Sequence, residues 1–408
     1  MHTNEAKKGS VFGGILLVSG CCIGAGMLGL PVFSAVAGFE PSLLMIVLSW
    51  AFMVTTGLLL LEVNLWFNSD VNIITMAGQT LGRTGKVIGW TGFLYLFYAL
   101  MVAFISGAGE LSSDFLFENS GVRVPPIICG FGLCLLFGVF LYLGTRAVDH
   151  FNRLMILGLV LSYILLVVTG FPHVDYTNLL HRDWKAATLV LPTMIISFGY
   201  HNLIPSLTTY LQGDLKRLRA TIIIGSAIPL LIYVLWMTLL LGIIPVEGEG
   251  GFRAALNAGE MATQTLRNAV GSAWVTTAMH YLAFFSIVTT LLAVGLSFVD
   301  FLADGLHVKK DHKGKFLLCL LTLAPPFIFA AVYPKLFFTA LNYAGGFGAV
   351  LLFGILPAAM VWAGRYHQKK ENAVRIVPGG KAVLIAVMAF ALAIMGLQAA
   401  ELVKDLGF

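Results

Sequence analysis

Long apolar runs separated by short polar stretches fill this chain from residue 10 to residue 404. An α-helix rises about 1.5 Å per residue, so roughly 20 apolar residues in a row cross the hydrocarbon core of a bilayer. Eleven runs have that length: residues 10–36, 41–67, 86–112, 125–143, 151–171, 186–210, 219–243, 273–303, 315–333, 338–363 and 381–404. Two connecting stretches read as short helices of their own. Residues 251–272 are amphipathic, and residues 68–85 form an interfacial helix ahead of the third run. The first run follows a polar segment carrying Lys7 and Lys8. It is too long for the apolar part of a signal peptide and no small-residue cleavage site closes it, so it is expected to stay as the first span.

Composition sharpens this picture. Of 408 residues, 58% are hydrophobic and 11% charged, where an ordinary soluble domain carries about 25% charged residues. Mean hydropathy is +0.90. Such a chain cannot cover its surface with polar groups in water, and the class is an all-α polytopic membrane protein with about 11 transmembrane helices. A disordered chain, a nucleic-acid module and a secreted disulfide scaffold are excluded. Cys21, Cys22, Cys129, Cys134 and Cys319 all lie in apolar runs and are expected to be free thiols. No Cys/His cluster has metal-ligand spacing, so no metal is expected.

The net charge is +5, but its placement says more than its sum. With a cytoplasmic N-terminus, eighteen of the 25 Lys and Arg residues fall on the cytoplasmic side, among them Arg83, Lys86, Arg146, Lys309 and Arg365. The seven on the other side are Arg123, Arg182, Lys185, Arg253, Arg267, Lys335 and Lys404. That asymmetry supports eleven spans with the N-terminus inside and the C-terminus outside.

Two spans concentrate residues that open a helix. The first holds Gly20-Cys-Cys-Ile-Gly24-Ala25-Gly26-Met-Leu-Gly29-Leu-Pro31, and the sixth holds Ser197-Phe198-Gly199-Tyr200-His201-Asn202-Leu-Ile-Pro205-Ser206. Each glycine weakens a helix by about 1 kcal/mol relative to alanine. Gly and Pro in a membrane helix are tolerated where neighbours satisfy the freed backbone. The breaks lie five spans apart, as in an inverted five-helix repeat, which is a transporter architecture. Half-helix N-termini suit a carboxylate and half-helix C-termini suit an ammonium or a cation, so an amino acid zwitterion matches both. Residues 24–29 also match GxGxxG, but a dinucleotide loop needs a preceding strand and a soluble βαβ unit, and here a membrane helix precedes it. Helix packing through Gly20-x-x-x-Gly24 is the other reading of these glycines.

Four segments in order carry a resemblance: GSVFGGILLVSGCCIGAGMLGLP from residue 9, LLLLEV at 58–63, SFGYHNLIPSL at 197–207 and FVDFLADGL at 298–306. Together they resemble the bacterial tyrosine/tryptophan permeases, aromatic members of the amino acid/polyamine/cation superfamily, over residues 9–404. The resemblance implies a leucine-transporter-like 5+5 inverted repeat with discontinuous helices 1 and 6. Residues 1–171 would form the first repeat, 186–363 the second, and 381–404 an additional helix. It further implies import of an aromatic amino acid across the bacterial inner membrane, driven by the proton gradient, with no cofactor beyond the coupling ion. Its partners would be the substrate and the bilayer, with no nucleic acid and no obligate protein partner.

In such a fold the substrate carboxylate meets N–H groups at Gly24, Ala25 and Gly26, and the ammonium meets carbonyls at Cys21 or Cys22 and at Ser197 or Phe198. The ring pocket would draw on Phe198, Tyr200, Tyr98, Asn342 and Tyr343. Glu62, deep in the second span, must be protonated or bonded to donors. In similar transporters a carboxylate there bonds freed N–H groups near the broken helices, and proton carriage is the alternative. Two readings of His201 stand, a proton relay and a ring fixed by hydrogen bonds. Thr289 and Thr290, with carbonyls near Gly20, Ile23 and Ser286, would offer the oxygen ligands that a sodium ion needs. Sodium coupling is therefore an alternative, although Ser and Thr commonly bond back to helix carbonyls. Asp300 and Asp304 read as the cytoplasmic end of the eighth span, and Glu110 and Asp114 as solvated ends.

Rival classes lack their signatures. There is no HExxH, GxSxG or GxxxxGK[ST] motif, which argues against an embedded enzyme or ATP drive. Repeated pore motifs or charged rings that would mark a channel are also missing. Alternating access follows, with spans 1, 2, 6 and 7 rocking against spans 3, 4, 8 and 9.

Overall fold

In lipid, backbone groups must be satisfied within their own segment, which leaves helices as the open-chain solution. The computed structural model describes residues 9–24, 26–67, 71–248, 250–258, 262, 265–266, 273–333, 335–368 and 375–405. Every regular element among them is helical. Ten helices are long and apolar enough to cross a membrane, or up to 11 when the bent pair Val11–Cys22 and Gly26–Ala37 is taken as one span. These two halves are called 1a and 1b below. The other spans, 2 to 11, run Phe39–Asn64, Ile73–Ser120, Pro126–Leu143, Thr145–Gly170, Ala187–Tyr210, Leu215–Ile243, Ala273–Gly305, His312–Val332, Phe337–His367 and Gly380–Asp405.

The third span is longer than its apolar run because a short helix joins it. Asn72 caps that helix through the Thr75 N–H, and Gly82 interrupts it at φ 70°, ψ −156°, a conformation that only glycine adopts at low cost. The expected interfacial helix is thus present from Ile73 up to that kink. On the opposite face, Phe252–Ala258 is helical, with Phe252 and Ala255 buried against 1b. Most of residues 259–272, the remainder of the expected amphipathic helix, lie outside the described residues.

Polar bonds tie spans 1, 2, 6 and 7 together. Ser19 Oγ donates to Gly225 O at 2.7 Å, and Gly9 N–H donates to Tyr210 O at 3.0 Å. Trp50 Nε1 donates to Ser226 Oγ at 3.1 Å, and Trp236 Nε1 donates to Met27 O at 2.9 Å. Spans 3, 4, 8 and 9 interlock mainly through rings, with Phe97 stacked on Phe298 at 5.1 Å and Phe131 against Phe327 at 5.5 Å. Span 10 widens to π-helical turns over Ala344–Ile355. Its glycines let neighbouring backbones close in. A Cβ on Gly345 would fall 2.0 Å from Pro192 O, and one on Gly348 would fall 3.0 Å from Leu96 Cδ1.

Candidate functional site

The first break bends the helix by 57° between Cys22 and Gly26. Ile23 is extended (φ −75°, ψ 97°), and Met27 N–H closes a turn on Gly24 O at 3.0 Å. In the sixth span, Leu191–Ser197 (6a) ends at Ser197, Phe198–Tyr200 leave the helix, and Ile204–Tyr210 (6b) resumes after one 3-10 turn. The breaks face each other closely. A Cβ on Gly26 would sit 2.9 Å from Ser197 Oγ and 3.3 Å from Ser197 Cα, and Cys21 Sγ donates to Gly199 O at 3.6 Å. Cys21, Cys22, Gly24, Gly26, Ser197 and Phe198 are therefore brought together, while Ala25 lies outside the described residues.

The last carbonyls of a helix have no partner within it. Tyr233 of span 7 meets one from each break, its Oη lying 2.6 Å from Cys22 O and 3.0 Å from Ser197 O. Its ring is fully buried, edge-on to Phe198 at 5.4 Å.

Tyr200 and His201 turn away from the first break toward span 2. Tyr200 Oη donates to Met53 O at 3.0 Å, over Gly57, where a Cβ would come 2.6 Å from that hydroxyl. His201 Nε2 lies 2.9 Å from Thr56 Oγ1, and Thr56 itself donates to Met53 O at 3.2 Å. With the Thr56 proton so placed, Nε2 carries the imidazole hydrogen and donates to Thr56. The opposite tautomer would bury an N–H at Nδ1, which has no partner among the described residues. The imidazole is sandwiched between Tyr200 at 5.0 Å and Phe353 at 4.8 Å.

Span 8 approaches the first break at Gly24. A Cβ on Gly24 would fall 2.4 Å from Thr290 Oγ1. Thr289 and Thr290 both donate back to Ser286 O, at 3.0 Å and 2.7 Å. Ser286 Oγ is buried with no hydrogen-bond partner among the described residues. Around Gly20 there is open space.

Glu62 finds a different partner set from the one the resemblance implies. Arg365 of span 10 grips its carboxylate two-fold, Nε to Oε1 at 2.7 Å and Nη2 to Oε2 at 2.6 Å, and Ile376 N–H donates to Oε2 at 2.7 Å. The N–H it takes thus belongs to the segment between spans 10 and 11, not to a broken helix. Arg365 also donates to Val377 O at 3.0 Å, and Arg219 of span 7 donates to Ile376 O.

Three more ring-pocket candidates lie elsewhere. Tyr98 points into the span 8 and 9 side, donating to Leu321 O at 3.1 Å with its ring edge-on to Phe298 at 4.8 Å. Asn342 joins span 10 to 6a, with Thr193 donating to its Oδ1 at 2.7 Å. Tyr343 O accepts from Tyr95 Oη at 3.3 Å, away from the breaks.

A cavity of about 880 Å³ opens between 6b and spans 3 and 8, on the face that carries Lys86 and His307. Asn202, Pro205, Ser206 and Thr209 form one wall. Trp90, Phe93, Phe97 and Phe301 form the other, with ring centroids 5.5–6.0 Å apart along the cluster. Asp300 and Asp304 stand at its rim, Asp300 paired with Lys310 at 2.7 Å. Asn202, in this wall, lies two residues past the end of the sixth break. The opposite end is packed, with Phe33 edge-on to Phe338 at 5.5 Å and Gly29 against Leu341 and Thr193.

Several of these residues carry no distinguishing sequence signal. Tyr233, Trp236 and Trp90 are aromatics in apolar runs like many others in this chain, and Arg365 reads as one more basic loop residue.

Residues 7–398 match the Tryptophan/tyrosine permease family. The "Tyrosine-specific transport system 1" of Haemophilus influenzae is 34% identical over 385 residues, covering 92% of this chain and 93% of that protein. A "Tryptophan-specific transport protein" of the same organism is 29% identical, covering 95% and 94% respectively. The "Low affinity tryptophan permease" of Escherichia coli is 28% identical, covering 97% and 96%. A helical bundle with two facing breaks, matched to one family from end to end, leads to a plain assignment: the chain belongs to the tryptophan/tyrosine permease family.

Proposed function

We propose that this protein is a secondary active importer of an aromatic amino acid, tyrosine foremost, driven by proton symport through alternating access. The observation that carries the reading is the convergence of carbonyls from 1a and 6a on one point, beside the glycine-lined start of 1b. Carbonyl dipoles attract an ammonium, and N–H groups at Gly24 and Gly26 suit a carboxylate. Phe198 supplies an apolar ring at the same place. Tyrosine is put first because the 34% identical relative is named for it.

The architecture proposed is a leucine-transporter-like 5+5 inverted repeat, residues 1–171 and 186–363, with an eleventh helix at 381–404. The matching positions of the breaks in spans 1 and 6 support it. The cavity lies at the seam between spans 1, 2, 6, 7 and spans 3, 4, 8, 9, with Lys86, Asp300, Asp304 and His307 among its lining residues. A rocking motion at that seam would close it and open the other end. The excess of Lys and Arg in loops on the cavity's face supports a cytoplasmic orientation for it, in a bacterial inner membrane. The substrate and the bilayer are the partners this mechanism needs.

The enclosure of His201 between two rings and Thr56 supports a positioning role for it over proton relay. The double grip of Arg365 on Glu62 supports the same for that carboxylate. A sodium-coupled reading is favoured by one observation: Thr290 stands against Gly24 with the Ser286 hydroxyl nearby in sequence.

Uptake of labelled tyrosine into proteoliposomes, with proton and sodium gradients imposed separately, tests the proposal. Saturable accumulation under an inward proton gradient without sodium is the expected result. Accumulation only with sodium would move the coupling ion to Gly20, Ile23, Ser286, Thr289 and Thr290. No saturable uptake of tyrosine, tryptophan or phenylalanine under either gradient would overturn the substrate assignment.

A further inference from the structure

We infer that the Tyr233 hydroxyl is a built-in substitute for the substrate's ammonium. It holds the Cys22 and Ser197 carbonyls whenever no substrate does, and so allows the carrier to reorient unloaded. The inference rests on the reading that an amino acid binds between the two breaks.

The geometry is specific. Tyr233 Oη is 2.6 Å from Cys22 O and 3.0 Å from Ser197 O, so one atom sits within hydrogen-bond distance of the C-terminal carbonyls of both 1a and 6a. These are the positions an ammonium would take if it bridged the breaks. Tyr233 comes from span 7, outside both broken helices, with its ring buried edge-on to Phe198 at 5.4 Å. The hydroxyl is therefore presented to the carbonyl pair from an element separate from the two helices that would hold the substrate.

Donor arithmetic makes the arrangement exchangeable. A phenol has a single proton, so it satisfies one carbonyl at a time and turns oxygen lone pairs toward the other. A primary ammonium brings three donors and a full charge, and charge-assisted bonds are roughly twice as strong as neutral ones. Only one donor atom fits at the point between the two carbonyls, so an ammonium that bridges them displaces the hydroxyl, favoured by its charge. When substrate leaves, the hydroxyl restores a donor between two helix ends that would otherwise bury unpaired carbonyls of like polarity.

Net uptake and exchange separate this role from a structural one. Net uptake requires the unloaded carrier to return across the membrane, and exchange of internal for external tyrosine does not. In Tyr233→Phe, exchange is expected to stay within about twofold of wild type while net uptake falls about tenfold or more, the range set by losing one buried hydrogen bond. Equal loss of both activities, or loss of neither, would overturn the inference. Tyr233→His, measured beside it, keeps an N–H donor and is expected to recover part of the net uptake. Net uptake in the histidine variant no better than in a folded phenylalanine variant would count against the hydroxyl, as would a histidine variant that loses exchange when the phenylalanine variant does not reach the membrane. Absence of any aromatic amino acid exchange in the wild-type protein would instead defeat the transport reading.

Discussion

Replacing Arg365 with alanine is expected to destabilise the protein by about 3–5 kcal/mol, the cost of leaving a buried carboxylate without its partner. Glu62 and Arg365 side chains are 0% and 4% exposed, and their 2.6–2.7 Å bonds form a bidentate fork. The fork is one part of a larger clamp. Ile376 N–H donates to Glu62, Arg365 donates to Val377 O, and Arg219 donates to Ile376 O, so spans 2, 7 and 10 all grip one short segment. Loss of Arg365 removes two of those bonds to Glu62 and one to Val377. The purified variant should melt well below wild type and reach the membrane in lower amount. Arg365→Lys keeps the charge without the planar fork and should fall between the two. The double variant Glu62→Ala, Arg365→Ala should be more stable than Arg365→Ala, because the orphaned carboxylate is gone. Equal melting of Arg365→Ala and wild type would contradict the clamp.

Gly24→Ala is expected to reduce transport at least about tenfold while leaving the protein in the membrane, since overpacking costs about 1–3 kcal/mol. The new Cβ would fall 2.4 Å from Thr290 Oγ1. That oxygen is attached directly to a β-branched carbon and already donates to Ser286 O at 2.7 Å. Rotating the side chain would break that bond and, in one direction, bring the methyl group to the same place. The first break or span 8 has to shift, at the point where the substrate carboxylate is proposed to bind. Gly20→Ala is the internal control. Its Cβ meets nothing within 4 Å, so near wild-type uptake is expected from a change of the same chemistry one turn away. Equal uptake by the two variants would mean that the close approach to Thr290 has no part in transport.

The architecture is legible in the sequence because lipid imposes a simple rule. A span needs its apolar length, and a break needs glycine, proline and polar residues inside that length. Both signals are local, and the breaks at Gly24 and Gly199 lie where the sequence expects them. What escapes is information held between distant residues. Arg365 counts as a loop charge until the fold brings it to Glu62, 303 positions away. Tyr233 is one of 12 tyrosines and sits in the mostly apolar second half of a 29-residue helix. Nothing in its neighbourhood marks it as the residue that meets both breaks. Tyr98 shows the converse. As a tyrosine in a central span it suits a ring pocket, yet its hydroxyl is committed to Leu321 O and its ring to Phe298. In the π-helical stretch of span 10, Gly345, Gly346 and Gly348 pack closely against three different neighbours, which the sequence alone does not pair.

The transport proposal puts the amino acid between the broken ends of spans 1 and 6. Cys21 is positioned to report on it. Its thiol faces the sixth break, and it is exposed while Cys22, Cys129, Cys134 and Cys319 are buried. The measurement is the rate at which a small water-soluble maleimide modifies the wild-type protein as tyrosine is added. Tyrosine is expected to slow modification of Cys21 saturably, with half-protection at the concentration that half-saturates uptake, and leucine is expected to leave it unchanged. An unchanged rate of Cys21 modification at a tyrosine concentration that saturates uptake would place the substrate elsewhere.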